Sequence, residues 1–256
     1  MAMQAETVER FSGRAEAYER YRAQFPAALM ERLEVLCGLR ADDVVADIGA
    51  GTGMLAERFL KHGNPVIAVE PNDEMRARCE RLAERYPGLR VIGASAEETT
   101  IANGSVDLIA VGRAFHWFDR PRALREFKRI LKPQGWVVLV GSHWTGDGPA
   151  VEREYEEFLL TRCVDYHRVS DAVLTMDELH AMFARESVRV EALQVEEALT
   201  FEQLLGRTES LSVTPTRDDP RYGPMREALE AYFARHEQEG RVRRGMSYRL
   251  ICGQLR

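Results

Sequence analysis

Five short apolar runs alternate with longer amphipathic runs through the first half of the chain. The apolar runs are rich in β-branched residues and lie at residues 44–48, 65–70, 89–94, 106–112 and 136–142. Between them, residues 53–63, 72–86 and 120–131 repeat apolar side chains at helical spacing. Short strands that are apolar on both faces and joined by crossover helices are typical of parallel sheets. The pattern therefore predicts a doubly wound α/β fold with a mostly parallel sheet.

The regions on both sides of this core carry different patterns. Upstream, residues 5–39 predict two helices divided at Phe25-Pro26, because proline fits the first turn of a helix and not its interior. Downstream, helical spacing returns at 148–164, 176–186 and 224–239, and alternation predicts strands at 187–199 and 246–255. We expect an N-terminal helical segment over 1–40, an α/β core over 41–145 and a C-terminal helix and strand extension over 146–256.

Composition and net charge restrict the kinds of function that the protein can have. The chain of 256 residues is 45% apolar and 30% charged, as in an ordinary globular protein. Its net charge of −6 disfavours a nucleic-acid partner, because affinity for phosphate backbones needs a concentrated positive field. The run Arg241–Arg249 is locally basic. A solvated face is the simpler interpretation of this run, and a contact to an anionic substrate is the alternative.

The cysteines and the N-terminus predict the compartment. Cys37, Cys79, Cys163 and Cys252 lie far apart and form no C-x-x-C pair, which indicates neither a metal site nor a disulfide framework. The first residues carry charges where a signal peptide needs an apolar core, and no run reaches the ~18 apolar residues of a membrane span. We expect a cytoplasmic protein with no membrane partner, as a monomer or homodimer.

Glycines follow the first predicted strand in the stretch VVADIGAGTG, which ends with Gly49, Gly51 and Gly53. A strand that ends in Gly-x-Gly-x-Gly and opens a helix lets a ligand approach the backbone closely, with free N–H groups at the helix start. A tight turn is the simpler alternative. A dinucleotide fingerprint would be G-x-G-x-x-G, and here the third glycine comes one residue early.

The stretch VVADIGAGTG resembles the first motif of class I S-adenosylmethionine-dependent methyltransferases. The resemblance implies that the glycine loop lies against the amino-acid part of the cofactor and that Asp47 lies near its methionyl amine. It also implies that Glu70, at the end of the second strand in AVEPNDEM, accepts the ribose hydroxyls. The implied cofactor-binding residues of these two motifs are Asp47, Gly49, Ala50, Gly51, Gly53, Glu70, Pro71, Asn72 and Met75.

A third motif, GASAEETTI, is similar to the loop that receives the adenine in that family. Many members carry aspartate where this chain has Ser95. The resemblance therefore implies that adenine recognition falls to Glu97 or to the backbone of Ala96.

Two more segments resemble the type 11 group of these enzymes, especially the trans-aconitate methyltransferases. SVDLIAVGRAFHWFD is similar to their fourth strand and the following loop, which implies cofactor contacts by Arg113 and Phe115 and acceptor contacts by His116 and Trp117. FSGRAEAYERYRAQFP is similar to an N-terminal lid in which a tyrosine and an arginine fold over the cofactor. Here those residues are Tyr21 and Arg22, with Tyr18 on the same face and assigned to the acceptor.

The resemblance implies methyl transfer from S-adenosylmethionine to an oxygen or nitrogen of a small molecule, leaving S-adenosylhomocysteine. In-line displacement needs alignment in a dry cleft and no metal. His116 is the candidate to accept a proton or donate a hydrogen bond, and a histidine merely packed beside Trp117 is the alternative. His143 and Trp144 follow the fifth strand as further acceptor contacts.

Two other functions remain open from the sequence. The first is a nicotinamide-dependent oxidoreductase that uses the same glycine loop and Glu70 for ribose. The second is a non-catalytic protein that binds S-adenosylmethionine, since the cofactor loop would be the same.

Overall fold

The computed structural model describes residues 13–143, 148–164, 166 and 174–256, and for His143 it describes the backbone alone. Within these ranges the strands are β1 (Val45–Ile48), β2 (Val66–Val69), β3 (Leu89–Ile92), β4 (Val106–Gly112), β5 (Leu131–His143), β6 (Arg189–Leu199) and β7 (Val242–Gly253). They form one sheet in the order β3-β2-β1-β4-β5-β7-β6.

The sheet is parallel from β3 through β5, and β7 runs antiparallel between β5 and β6. This confirms the predicted fold class, a doubly wound and mostly parallel sheet completed by C-terminal strands. Strands β1, β2 and β4 are largely buried on both faces, which explains why they are continuous apolar runs rather than alternating ones.

The last strand begins at Val242, four positions before the predicted start at Met246. Its side chains alternate across the sheet, so Val242, Arg244, Met246 and Tyr248 lie on one face, and all four are buried. Arg244 is 4% exposed. The prediction of a solvated face for this basic run is therefore wrong at Arg244, because strand alternation places it in the core.

The helices are α1 (Ala15–Tyr21), α2 (Leu29–Cys37), α3 (Met54–His62), α4 (Asp73–Glu80), α5 (Arg120–Ile130), α6 (Ala150–Arg162), α7 (Met176–Met182), α8 (Phe201–Glu209) and α9 (Tyr222–His236). The break between α1 and α2 includes Phe25-Pro26, as predicted. Helix α8 was not predicted, although its capping box at Thr200 and Gln203 is a recognisable sequence signal. No helix in the described ranges combines the length and apolar character needed to cross a bilayer.

Two apolar clusters cover the two faces of the sheet. Leu33 of α2 and Phe59 of α3 belong to the cluster on one face, and Phe127 of α5 belongs to the cluster on the other. A third cluster joins α6, α8 and α9 through Tyr155, Leu204 and further buried residues. The chain is thus a three-layer α/β core with a helical C-terminal addition that has apolar packing of its own.

The strand order predicts a ligand site at the carboxyl ends of the central strands. Strand β1 lies between β2 and β4, so the crossovers after β1 and β4 leave in opposite directions. In open α/β sheets, ligands bind in the crevice outside the carboxyl ends of the strands at this switch point. The glycine loop after β1 and the FHW turn after β4 (Phe115–Trp117) meet there.

Candidate functional site

The loop after β1 is shaped by three glycines with left-handed backbone conformations. The φ angles of Gly49, Gly51 and Gly53 are 72°, 58° and 84°, a region that other residues adopt at a cost. The N–H groups of Gly49 and Ala50 donate to the carbonyl oxygen of Val69 at 2.9 and 3.1 Å. These bonds tie the loop to the end of β2.

The surroundings of the three glycines differ. A Cβ at Gly49 would lie 2.7 Å from Cβ of Ala114, and one at Gly53 would lie 2.6 Å from Cδ1 of Leu82. Among the residues that the structure describes, a Cβ at Gly51 would meet nothing closer than Cε1 of Tyr18, at 4.0 Å. Gly49 and Gly53 therefore permit close packing, whereas Gly51 faces open space between the loop and α1.

Asp47 lies inside β1, fully buried, two residues before the loop. Neither carboxylate oxygen makes a hydrogen bond of normal geometry within the described residues. Burial raises the pKa of Asp47 to about 7, opposed by the nearby N–H of Ala56 and assisted by the charge of Glu70. A buried carboxylate without partners is costly unless a cation or donor reaches it. The hydroxyl of Thr52 is likewise buried without a partner among the described residues.

Glu70 follows β2 directly and is 8% exposed. Its carboxylate accepts the N–H of Gly51 and the N–H of Asn72, each at 2.8 Å. Burial raises its pKa, which these two hydrogen bonds oppose. Glu70 thus lies beside the glycine loop, where it fixes the open position Gly51.

The other residues predicted from the second motif serve α4. The side chain of Asn72 caps the helix by accepting the N–H of Met75 at 3.0 Å. Met75 is buried, and Pro71 is exposed. These contacts give Asn72 and Met75 structural roles, and cofactor contacts by Pro71, Asn72 and Met75 stay predictions.

The segment after β3 is held to the N-terminus of α5. Glu97 accepts the N–H of Asp119 at 2.9 Å, and Ala96 is buried. Ser95 is half-buried and forms an isolated bridge with Glu98. The carboxylate of Glu97 keeps acceptor positions beyond this one bond, so the bond does not decide between Glu97 and the backbone of Ala96 as the adenine contact. Adenine recognition by either residue stays a prediction.

The turn after β4 brings the predicted acceptor residues to the switch point. The rings of His116 and Trp117 lie 4.7 Å apart, and Phe115 is buried against Phe118 with 6.0 Å between ring centroids. Burial, together with the charges of Arg22 and Arg120, lowers the pKa of His116 to about 4. The imidazole is therefore neutral at physiological pH.

Arg113 begins this turn with a φ of 57°, the left-handed region. Its Nη1 donates to the carbonyl oxygen of Ala23 at 2.9 Å, and its guanidinium lies 4.3 Å from the ring centroid of Phe25. Arg113 thus connects the site to the segment between α1 and α2.

Helix α1 lies over the loop with Tyr18 facing Gly51 and Arg22 lying over the ring of Tyr18 at 5.3 Å. Tyr21 is directed elsewhere. Its ring packs against Gly206, and its hydroxyl donates to Glu202 of α8 at 2.9 Å. The structure therefore brings Tyr18 and Arg22 to the site and turns Tyr21 toward α8.

Two residues that sequence reasoning missed hold the end of α1 and the segment after it in place. Tyr248 of β7 donates its hydroxyl to the carbonyl oxygen of Gln24 at 2.8 Å. Arg207 of α8 donates to the carbonyl oxygen of Tyr21. Neither contact has a local sequence signal, because each partner lies more than 180 residues away.

The remaining acceptor candidates cannot be placed at the site. The backbone of His143 ends β5 opposite Ser247, while its side chain and all of Trp144 lie outside the described residues. Across the described ranges, no group of three His, Cys, Asp or Glu side chains is arranged to hold a metal ion.

Comparison with known proteins finds similarity to methyltransferases over part of the chain. Residues 46–139 match a family model described as a methyltransferase domain. Over 130 residues the chain is 36% identical to an uncharacterized methyltransferase of Mycobacterium tuberculosis, covering 51% of each protein. It is 28% identical over 179 residues to a malonyl-acyl-carrier protein O-methyltransferase of a Marinomonas species, covering 68% of this chain and 65% of the relative.

A solved structure supports the same fold. The S-adenosylmethionine-dependent methyltransferase from Geobacter sulfurreducens, in complex with S-adenosylhomocysteine, superposes with a TM-score of 0.58 at 18% identity. The superposition covers 97% of this chain and 98% of that one. The chain spans only about half the length of the mycobacterial relative. The match over residues 46–139 agrees with the resemblance of the motifs to methyltransferases.

Proposed function

We propose that this chain, built on a methyltransferase domain, transfers a methyl group from S-adenosylmethionine to an oxygen or nitrogen atom of a small molecule. The observation that carries the proposal is Asp47, whose buried carboxylate lacks a partner among the described residues beside a glycine loop with an open side. An ammonium group next to Asp47 would neutralise that charge. S-adenosylmethionine carries such a group on its methionyl part.

The residues present fit the cofactor. Glu70 keeps lone pairs for ribose hydroxyls, because a carboxylate has about four acceptor positions and two are used by Gly51 and Asn72. Gly51 leaves room that any side chain would fill. Asp47, Glu70 and the loop would therefore hold the methionyl and ribose parts, and the segment at Ala96 would receive the adenine.

When bound, S-adenosylmethionine supplies an electrophilic methyl group on a positively charged sulfur. The protein must then align the acceptor and exclude water. Tyr18 of α1 faces the loop, and Arg22, the residue after α1, lies over the ring of Tyr18. Arg207 holds the end of α1, and Tyr248 holds the segment after it. This arrangement favours a closed cleft over an open groove for a macromolecule.

His116 suits an orienting role in this reaction. Its neutral ring offers one nitrogen as a donor and the other as an acceptor to the O–H or N–H of a substrate. Burial, and after it the charges of Arg22 and Arg120, oppose a proton on the ring and together hold its pKa at about 4. His116 therefore positions the acceptor and is a weak store for a proton, so acceptors that need no strong base fit best.

The test is calorimetric titration of the full chain with S-adenosylmethionine, S-adenosylhomocysteine and NADH in parallel. We expect micromolar dissociation constants for the first two, the usual order for metabolite sites, and no binding of NADH. Binding of NADH alone would favour an oxidoreductase instead. Small carboxylates, phenols and amines are then screened for methylation, and binding without turnover of any acceptor class would favour a non-catalytic role.

A further inference from the structure

Helix α1 packs along helix α8 of the C-terminal addition. The guanidinium of Arg14, just before α1, donates to the carbonyl oxygens of Glu209 and Leu211 at 3.0 and 2.9 Å. At the other end of α1, the ring of Tyr21 packs against Gly206. The start of α1 therefore lies beside the end of α8, and the end of α1 lies earlier along α8, so the two helices run antiparallel.

The contact between Tyr21 and Gly206 leaves no room for a side chain at position 206. A Cβ there would lie 2.7 Å from Cε2 of the Tyr21 ring and closer still to Cγ and Cδ2. Gly206 lies in the interior of α8, where glycine is among the least favourable residues, and its φ is outside the left-handed region. The backbone therefore does not require glycine at this position, whereas the close packing of the Tyr21 ring does.

Tyr21 is joined to α8 at two further points. Its hydroxyl donates to Glu202 at 2.9 Å, and its carbonyl oxygen accepts the Nε–H of Arg207. Both partners lie within one turn of Gly206 along α8. Helix α8 is itself anchored, because Leu204 is fully buried in the apolar cluster shared with α6 and α9. The end of α1 is thus held to a supported surface of the C-terminal addition.

Helix α1 is too short to be stable without such packing. It has seven residues, and isolated helices shorter than about 12–15 residues are marginal in water. On the side of α4, Glu19 forms a surface ion pair with Arg78, a type of contact that contributes little to stability. We therefore expect α1 to remain helical only while it is packed on α8.

The packing on α8 matters for the site because α1 carries Tyr18. The ring of Tyr18 borders the open space at Gly51, so a ligand bound against the glycine loop there also meets this ring. We propose, resting on the proposed function, that Gly206 is a positioning residue for the cofactor. Through Tyr21 it keeps α1, and with it Tyr18, over the glycine loop and thereby slows the release of bound S-adenosylmethionine.

The first experiment needs no ligand. If α1 leaves α8 it should unfold and expose the peptide bond after Arg20 to trypsin, and mass spectrometry measures the rate of that cleavage. We expect cleavage at least tenfold faster in Gly206→Ala than in wild type. Tyr21→Ala, which removes the ring and introduces no overlap, is the second variant and should act in the same direction.

Gly223→Ala is the matched control for this experiment. Gly223 lies in α9, and a Cβ built there meets no atom of the described residues within 4 Å. The control should be cleaved after Arg20 at the wild-type rate. Cleavage at the wild-type rate in Gly206→Ala and Tyr21→Ala as well would overturn the proposal, because α1 would then keep its place without the contact.

The second experiment measures the release of S-adenosylhomocysteine by stopped-flow tryptophan fluorescence. We expect release at least tenfold faster from Gly206→Ala and within twofold of wild type from Gly223→Ala. The double variant Tyr21→Ala/Gly206→Ala should release the ligand as Tyr21→Ala alone does, because the new methyl group no longer meets the ring. A general loss of stability would not produce this dependence on Tyr21.

Two outcomes of the release measurement would contradict the role of Gly206. One is an unchanged release rate in a Gly206→Ala protein whose α1 is cleaved faster. The other is an equal acceleration by Gly206→Ala with and without the Tyr21 ring. Failure of the proposed function would appear differently, as wild type that binds no S-adenosylhomocysteine while trypsin still distinguishes Gly206→Ala from Gly223→Ala.

Discussion

The charged side chains buried around the glycine loop differ from those buried beneath the C-terminal strands in how they are compensated. At the loop, the carboxylate of Asp47 and the Nε atoms of Arg22 and Arg113 have no hydrogen-bond partner within the described ranges. Under β6 and β7, Glu197 receives Arg207 at 2.6 Å and Arg244 at 2.8 Å. Although burial would raise the pKa of Glu197, the two arginines hold it below its usual value.

This difference indicates that the charged side chains at the loop serve ligand binding, whereas those under β6 and β7 stabilise the fold. A carboxylate with two cationic partners is complete within the protein and stabilises the junction of α8, β6 and β7. A carboxylate without them costs folding free energy that a ligand can recover. The same residue types therefore have opposite expected responses to substitution in the two regions.

The largest expected effect is that of Glu197→Ala on stability. Removing this carboxylate leaves Arg207 and Arg244 buried without their shared partner, and breaking a buried ion pair from one side costs about 3–5 kcal/mol. Urea unfolding measures the change. Glu191→Ala is the control on the same strand, because its pair with Arg32 is about one third exposed, and it should cost less than about 1 kcal/mol. Equal losses of unfolding free energy for Glu197→Ala and Glu191→Ala would contradict the stronger structural role assigned to Glu197.

Asp47→Ala should act on binding rather than on folding. The affinity for S-adenosylhomocysteine is expected to fall about 100-fold, or about 3 kcal/mol, through loss of a buried charge contact. The unfolding free energy of the ligand-free protein should not decrease, because an uncompensated carboxylate is removed. Calorimetry and urea unfolding measure the two quantities. Asp73→Ala, whose side chain is 89% exposed, should leave the affinity unchanged. A stability loss with unaltered affinity for Asp47→Ala would make Asp47 structural.

The same carboxylate predicts a pH dependence. The pKa of Asp47 is raised from 3.8 to about 7 in the folded protein, so its contribution to stability is full below about 4 and is lost as the pH rises through 7. Binding of an ammonium group needs the ionised form. We therefore expect the affinity for S-adenosylmethionine to fall about tenfold per pH unit, or about 1.4 kcal/mol, as the pH decreases below 7. Titrations from pH 5 to 7 measure this slope, and Asp47→Asn should abolish it.

The smallest expected effect compares two glycines of the loop. Gly51→Ala should cost about 1 kcal/mol of stability through its left-handed backbone, since nothing lies against the new methyl group except Tyr18. Its methyl group would instead fill ligand space and weaken S-adenosylhomocysteine binding. Gly53→Ala should cost about 2 kcal/mol, because the methyl group also meets Leu82 and Cys79. The opposite ranking in calorimetry and urea unfolding would contradict the assignment of Gly51 to the ligand.

Much of the parallel part of the sheet, β1 to β5, could be predicted because the signals for each strand lie in neighbouring residues. The continuous apolar runs located β1 to β5, and the glycines after Ile48 located the loop at the switch point. The placement of Asp47 and Glu70 beside that loop follows from where their strands end. The C-terminal part was predicted less well, since helix α8 was not predicted and Arg244 was expected in solvent.

The directions in which the side chains of α1 point could not be predicted from the sequence. Tyr18 and Tyr21 lie three residues apart on α1, yet only Tyr18 faces Gly51, while Tyr21 is drawn toward Gly206 and Glu202. Helical spacing places both on neighbouring positions of one face and does not say what lies opposite. That information comes from α8, about 180 residues away along the chain.

By itself, the sequence determined the order of strands and helices in the core, the glycine loop and the resemblance to methyltransferases, because periodicity, turn residues and motifs act over a few neighbouring positions. Only the tertiary structure decided which buried charges find partners. Glu197 meets Arg244 across 47 residues, and Arg113 reaches the carbonyl oxygen of Ala23 across 90 residues. Two charges compensate each other only when they lie close in space. The order of the strands in the sheet and the packing of α1 set the distance between them.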